Sequence, residues 1–259
     1  TVLAGAKPPE RRLSNRDNTA HYLLRSQPYL NSEGKADGVL LTLLDVTQLV
    51  EAVEAREQQR LLVNELNHRV RNMLQVVMGL TRQTLREDMP PEEFGKLLIG
   101  RMLALSRSYQ IIAEEEWGDV SLHDLVKQQL GPHLSDPDRA NMEGPAMILS
   151  PAGAVALGLV LHELATNAVK YGALSGEAGR VAVSWVITGV GADRQVRLEW
   201  HESGGPQVEI RDHEGFGSGL IKGQVERALK GSLCLTYGAD GFAAVMTLSL
   251  IHISEPTRL

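Results

Sequence analysis

Leu161-His162-Glu163-Leu164-Ala165-Thr166-Asn167-Ala168-Val169-Lys170-Tyr171-Gly172 is the stretch on which the reading of this chain turns. Leu157, Leu161 (or Val160), Leu164 and Ala168 recur at helical spacing and face inward. Upstream, Ser150-Pro151 pairs an N-cap with a proline at the first helical position, so the helix runs from there to about Tyr171. Glu163, Asn167 and Lys170 then fall at i, i+4 and i+7 on one stripe, bordered by His162 and Thr166. A carboxylate, a carboxamide and an amine on one face suit a magnesium–phosphate site, because oxygen ligands hold Mg²⁺ and lysine binds phosphate as a point charge. An ordinary amphipathic helix would look the same, and this stretch alone does not choose.

Downstream, Arg180 to Thr188 and Gln195 to Glu202 alternate as strands. The second ends in Trp200-His-Glu202-Ser-Gly-Gly-Pro206, where Glu202 could accept from an exocyclic amine such as that of adenine. Gly204 and Gly205 would let backbone approach a flat ring. Trp200 and Glu202 share a sheet face, which leaves Trp200 beneath a nucleotide or simply in the core. Gly215-Phe-Gly217-Ser-Gly219 opens a helix expected over Gly219 to Leu229, and free N–H groups at such a start attract phosphate. No G-x-x-x-x-G-K-[ST] loop occurs. A helix over Ser121 to Leu130, a short strand over Met147 to Leu149, and a closing hairpin (Ser232 to Tyr237, Phe242 to Thr247) complete an expected α+β sandwich, with helices over one face of a mixed sheet.

Upstream, Gln48 to Arg86 has no proline and one glycine, Gly79. Leu62, Leu66, Val70, Met73, Val77 and Leu80 form a coiled-coil-like seam. A second helix from about Glu92 carries Phe94, Leu98, Met102, Leu105, Tyr109 and Ile112, so the two read as an antiparallel helical hairpin. With Leu66 at zero, the rest of the seam lies within roughly 40°, and His68 lies at about 200° among Asn64, Arg71, Asn72 and Gln75. Taken alone, His68 reads as part of a solvated face.

In order and spacing, these segments resemble the Asn box and the two glycine boxes of the Bergerat-fold ATPases, a group that includes gyrase and the histidine kinases. His162 within the Asn box, with Trp200-x-Glu202, resembles the HWE family of bacterial sensor histidine kinases. Glu65-Leu-Asn-His68-Arg-Val-Arg-Asn72 looks like that family's phosphoacceptor box. The resemblance covers roughly residues 60–247. It implies that His68 takes the γ-phosphoryl group of ATP, that Asn167 coordinates Mg²⁺, and that Glu163 orients or polarises groups around the metal. It implies further that Lys170 contacts phosphate and that Glu202 meets adenine. Gly204 would border the nucleotide, while Gly215, Gly217 and Gly219 would shape the lid and the phosphate-binding helix start. A response-regulator receiver domain would accept the phosphoryl group, and the hairpin would pair two copies of the chain. A Bergerat ATPase that needs no His68, and a degenerate kinase acting as a scaffold, are the rival readings. His162 is expected beside Glu163 on the site-facing side; His201, His123, His133 and His213 read as bland, Trp117 and Trp185 as packing.

Composition is compatible with this. The 259 residues carry a net charge of −6, with 43% hydrophobic and 22% charged residues. The acidic balance gives no reason to expect nucleic-acid binding, and the single Cys234 fits a reducing cytoplasm. No run of 18 apolar residues suggests a membrane span. Residues 1–47 contain two strands (21–30 and 39–44) joined by a turn and end in Asp45-Val46-Thr47, resembling the C-terminal half of a PAS sensor domain that feeds a signalling helix over 48–60. Residues 61–118 are then the hairpin and 119–247 the ATP-binding domain. Leu248 to Arg258, LSLIHISEPTR, resembles a translated transposon-end sequencing adapter, so 248–259 is expected to be non-native. The codons of this stretch test it: codons that differ from the adapter's would refute it.

Overall fold

The computed structural model describes residues 10–85, 89–115, 118–189, 194–206, 216–238, 241–249 and 253–254. The chain divides into two compact units, residues 1–76 and 77–259. Gly215, His213 and Trp117, and the tail apart from 248–249 and 253–254, lie outside the described residues.

The first unit opens with an antiparallel meander of β1 (Glu10–Ser14), β2 (His21–Leu30) and β3 (Ala36–Asp45). Tyr22 pairs with Asp45 and Leu24 with Leu43. β1 has no counterpart in the sequence reading: its five residues are all exposed, so no apolar period marks it. Asp45-Val46-Thr47 joins this sheet to α1 (Thr47–Thr84) through local polar bonds. The Asp45 carboxylate accepts from the Thr47 N–H at 2.9 Å, and the Thr47 hydroxyl accepts from the His21 N–H at 2.9 Å. The Thr47 side chain and N–H hold the Asp45 carboxyl below its ordinary range. On α1, Leu62, Leu66 and Val70 are exposed, while His68 stands on the exposed surface beside an Arg69–Glu65 ion pair.

The second unit is the α+β body. After α2 (Pro91–Glu114) come β4 (Val120–Ser121), α3 (Leu122–Leu130), β5 (Ala140–Glu143), β6 (Ile148–Leu149) and α4 (Pro151–Lys170). Then follow β7 (Arg180–Thr188), β8 (Gln195–Ser203), α5 (Phe216–Gly223), β9 (Ser232–Gly238), β10 (Gly241–Ser249) and β11 (Ile253–Ser254). The main sheet has the order β5-β7-β8-β10-β9, with β5 parallel to β7 and the other pairs antiparallel. β11, β6 and β4 form a small second sheet.

One face of the main sheet is buried at Val181, Val183, Trp185, Val196, Leu198, Trp200, Ala244, Met246 and Leu248, whereas Arg197 and His201 alternate outward. This period of two is the alternation that identified the strands. Ser121 and Ser150 cap α3 and α4 by accepting from the N–H groups of Asp124 and Gly153. α4 is buried without interruption from Gly153 to Ala165. Length and apolar composition alone would let it cross a membrane, yet 78% of that window is buried inside the fold, which marks a core helix.

Two helices depart from the sequence reading. α2 buries Arg101, Ala104, Leu105, Ser108, Ile111 and Ile112, while Met102 is exposed. Its contact with α4 is built of small and polar residues: a Cβ on Gly158 would collide with the Ser108 hydroxyl. Gln129 of α3 closes this contact by donating to Ala104 O at 3.0 Å and to Ser108 Oγ at 3.1 Å. α5 begins at Phe216, not Gly219, and passes into a π-helical turn over Gln224–Ala228. Gly217 and Gly219 therefore sit in the first helical turn rather than before it.

Leu157 is fully buried in α4. Leu157→Ala should lower stability by about 2–5 kcal/mol, and Ser150→Ala by about 1 kcal/mol through loss of the cap. Urea unfolding of the two variants measures both.

Candidate functional site

The polar stripe occupies the C-terminal turns of α4. Glu163 is buried, Asn167 is half-buried and Lys170 is exposed, so the stripe runs from core to solvent. The first turn of α5 lies against the inner part of this stripe. A Cβ on Gly217 would stand 2.9 Å from Glu163 Oε2 and 3.1 Å from Asn167 Nδ2. Glycine at 217 thus lets a helix start, with its free N–H groups, approach a carboxylate and a carboxamide. Gly219 is exposed in the same turn. Thr166 Oγ1, one residue before Asn167, is buried and has no hydrogen-bond partner among the described residues.

The other oxygen of Glu163 is engaged. Arg101 Nε donates to Glu163 Oε1 at 2.7 Å, and both side chains are nearly inaccessible, at 2% and 7% exposure. Arg101 Nη1 also donates to Thr84 Oγ1 at 2.6 Å. Nothing in the sequence reading singled out Arg101 or Thr84; the available signal was an arginine on the buried side of α2.

Glu202 forms a second polar centre. Trp200 Nε1 donates to its Oε1 at 3.0 Å and the Ala173 N–H to its Oε2 at 2.8 Å. Burial pushes the Glu202 carboxyl up, and these two hydrogen bonds oppose the rise. Trp200 is fully buried, so it is both core and the donor that orients Glu202. Each carboxylate oxygen retains a lone pair for a further donor. Gly204 turns the chain just after β8 with φ +68°, a conformation that favours glycine.

His162 does not face the Asn167 side. Its Nδ1 lies 3.3 Å from Arg107 Nη2, and a Cβ on Gly100 would come within 3.3 Å of its Nε2, so the ring is turned towards α2. Arginine can only donate, which makes Nδ1 the acceptor of a neutral imidazole. Burial, followed by His133, Arg107, Arg101 and Lys170, lowers its pKa to about 3. His133 is not bland either: its ring lies 5.6 Å from that of His162. His201 bonds Glu199 on the exposed sheet face.

The structure thus brings Glu163, Asn167 and Gly217 together, gives Glu202 two donors, and leaves Lys170 in solvent. His68 belongs to the first unit.

Known proteins resemble this chain in sequence and in fold. Residues 65–146 match the model of the HWE histidine kinase family. A blue-light-activated histidine kinase of Brucella anthropi is 34% identical over 209 residues, which is 80% of this chain and 42% of that protein. One from Brucella ovis is 33% identical over 202 residues, 78% of this chain and 41% of that protein. The chain therefore spans about two-fifths of the length of these relatives. Among solved structures, a blue-light activated histidine kinase of Erythrobacter litoralis superposes with a TM-score of 0.50 at 18% identity, covering 94% of this chain and 76% of that one. That likeness concerns the fold.

His162 generates a pH prediction. Because its folded pKa is depressed, the unfolded state binds more protons between about 3 and 6.5, and stability falls as pH drops through that window. The groups facing it are His133, Arg107, Arg101 and Lys170. The stability advantage of the native chain over His162→Gln should shrink on lowering pH from about 7 to about 5, by up to about 1.4 kcal/mol per pH unit. Urea midpoints across that range check this, and a constant gap would contradict a neutral His162.

Proposed function

We propose that this chain, whose residues 65–146 carry the HWE histidine kinase signature, transfers the γ-phosphoryl group of Mg·ATP to His68 and passes it on to an aspartate of a response-regulator receiver domain. The observation that carries this reading is the meeting of Glu163 Oε2, Asn167 and the first turn of α5 at Gly217. A carboxylate and a carboxamide beside a helix start suit a metal-bound polyphosphate.

Mg·ATP, when bound, supplies the phosphoryl group and the charge that neutralises it. Among the described residues no three His, Cys, Asp or Glu side chains cluster as a metal site. Magnesium in this reading arrives with the phosphates, and Asn167 provides a protein oxygen. Glu163 orients groups around that oxygen, and the N–H groups of α5 meet phosphate. Lys170 contributes a mobile positive charge. Glu202, fixed by Trp200 and Ala173, accepts from the exocyclic amine of adenine, and Gly204 keeps the adjoining turn tight. In the transfer, a ring nitrogen of His68 forms a P–N bond as the bond between the γ-phosphorus and the bridging oxygen breaks, with ADP leaving. Catalysis of this kind depends on positioning and electrostatics.

The remaining assignments belong to the same reading. Residues 1–47 are the C-terminal part of a PAS-type sensor, with 48–60 a signalling helix, 61–118 the acceptor helices and 119–247 the Bergerat-type ATP-binding domain. Residues 248–259 are a non-native, adapter-derived tail. The exposed seam of α1 at Leu62, Leu66 and Val70 supports pairing of two copies through that helix. The protein acts in the cytoplasm.

Incubation with γ-labelled ATP and Mg²⁺ tests the function. The expected result is acid-labile, alkali-stable label on the protein. His68→Gln should abolish it while retaining nucleotide binding, and label persisting on that variant would refute the acceptor. Asn167→Ala should weaken Mg·ATP binding by about tenfold or more, a loss of at least ~1.4 kcal/mol.

A further inference from the structure

The buried ion pair between α2 and α4 lies at the nucleotide site, because Glu163 belongs to both. Its Oε1 accepts from Arg101 Nε at 2.7 Å, while its Oε2 is the atom nearest the space beside Gly217 and Asn167. Arg101 is itself fixed at a second point, since its Nη1 donates to Thr84 Oγ1 at 2.6 Å. Thr84 in turn donates to Leu80 O at 2.6 Å, which ties that hydroxyl to the last turns of α1. The guanidinium fork is therefore held at one end by the closing turns of α1 and at the other by the carboxylate. A planar fork with two fixed partners sets direction as well as charge.

We infer that Arg101 is a positioning residue for phosphoryl transfer: anchored by Thr84, it fixes the Glu163 carboxylate so that Oε2 is presented to the Mg·ATP site formed with Asn167 and Gly217. This rests on the function proposed above. It assigns α2 a role inside the nucleotide site, and it makes the end of the helix that carries His68 a structural input to that site. A carboxylate misplaced by an ångström in such a site costs up to about a hundredfold in rate, while nucleotide held chiefly through Asn167, Glu202 and the α5 backbone stays bound.

The test uses the full chain and separates affinity from rate. Binding of a fluorescent ATP analogue with Mg²⁺ gives Kd, and the initial rate of protein labelling at saturating γ-labelled ATP gives kcat. Arg101→Met should leave Kd within about threefold and lower kcat by about a hundredfold. Arg101→Lys keeps the charge but not the fork, and should restore about tenfold of that loss. Thr84→Val is nearly isosteric and leaves the Arg101–Glu163 pair intact, so it reports on the anchor even if Arg101→Met fails to fold. It should lower kcat by about tenfold while the chain still unfolds cooperatively in urea, at a somewhat lower midpoint because a buried guanidinium N–H loses its acceptor. Wild-type labelling rates in both Thr84→Val and Arg101→Lys would overturn the inference and leave Arg101 a structural staple. Equal losses of Kd, kcat and folded fraction in Arg101→Met, with normal rates in the other two, would do the same. If the unsubstituted chain binds Mg·ATP but carries no label, the phosphotransfer reading fails; if it binds none, the site assignment fails. Either result is distinct from failure of Arg101 alone.

Discussion

α4 is buried along most of its length, and the site follows from that constraint. A helix so enclosed must satisfy its polar side chains on its neighbours, because an unpaired buried charge is far more costly than a paired one. His162 and Glu163 meet this requirement through arginines of α2, and Gln129 closes the same contact from α3. Only after Ala165 does α4 emerge, and there its polar groups are released for other work: Thr166, Asn167 and then Lys170. The gradient from paired carboxylate to solvent amine comes from one helix leaving its core.

The sheet supplies the second half of the site by a different rule. Trp200 and Glu202 stand two residues apart on β8 and so share the buried face. A tryptophan there fills volume and brings an N–H that must be satisfied. The neighbouring carboxylate meets that need and is oriented by it. Glu202 then pays the cost of burial through the indole and the Ala173 N–H together.

Much of this was legible in the residues. The bounds of α3 and α4 followed from Ser121 and Ser150-Pro151, β7 and β8 from their strand alternation, and β10 from its place in the closing hairpin. The parallel edge strand β5 escaped notice because ANME is only four residues long, and its two half-buried apolar positions, Ala140 and Met142, are too few to establish a period. The α2–α4 contact escaped for the opposite reason. Periodicity weighs large apolar residues and so selected Met102, whereas close packing at Gly158 selects Ser108. The direction of His162 was misjudged because adjacency to Glu163 in sequence means a separation of about 100° on a helix. Gly217 was recognised, but α5 begins earlier than its glycines suggested, which brings the residue into contact with Glu163 and Asn167 instead of leaving it in a preceding loop.

Two arginines six residues apart on α2 engage two adjacent residues of α4, one through a neutral ring and one through a carboxylate. Such a contact resists small sliding or rotation, since any partial movement strands a buried charge before a new partner is reached. A push on α2 would therefore reach His162 and Glu163 together, so that the neutral ring and the carboxylate share one mechanical support.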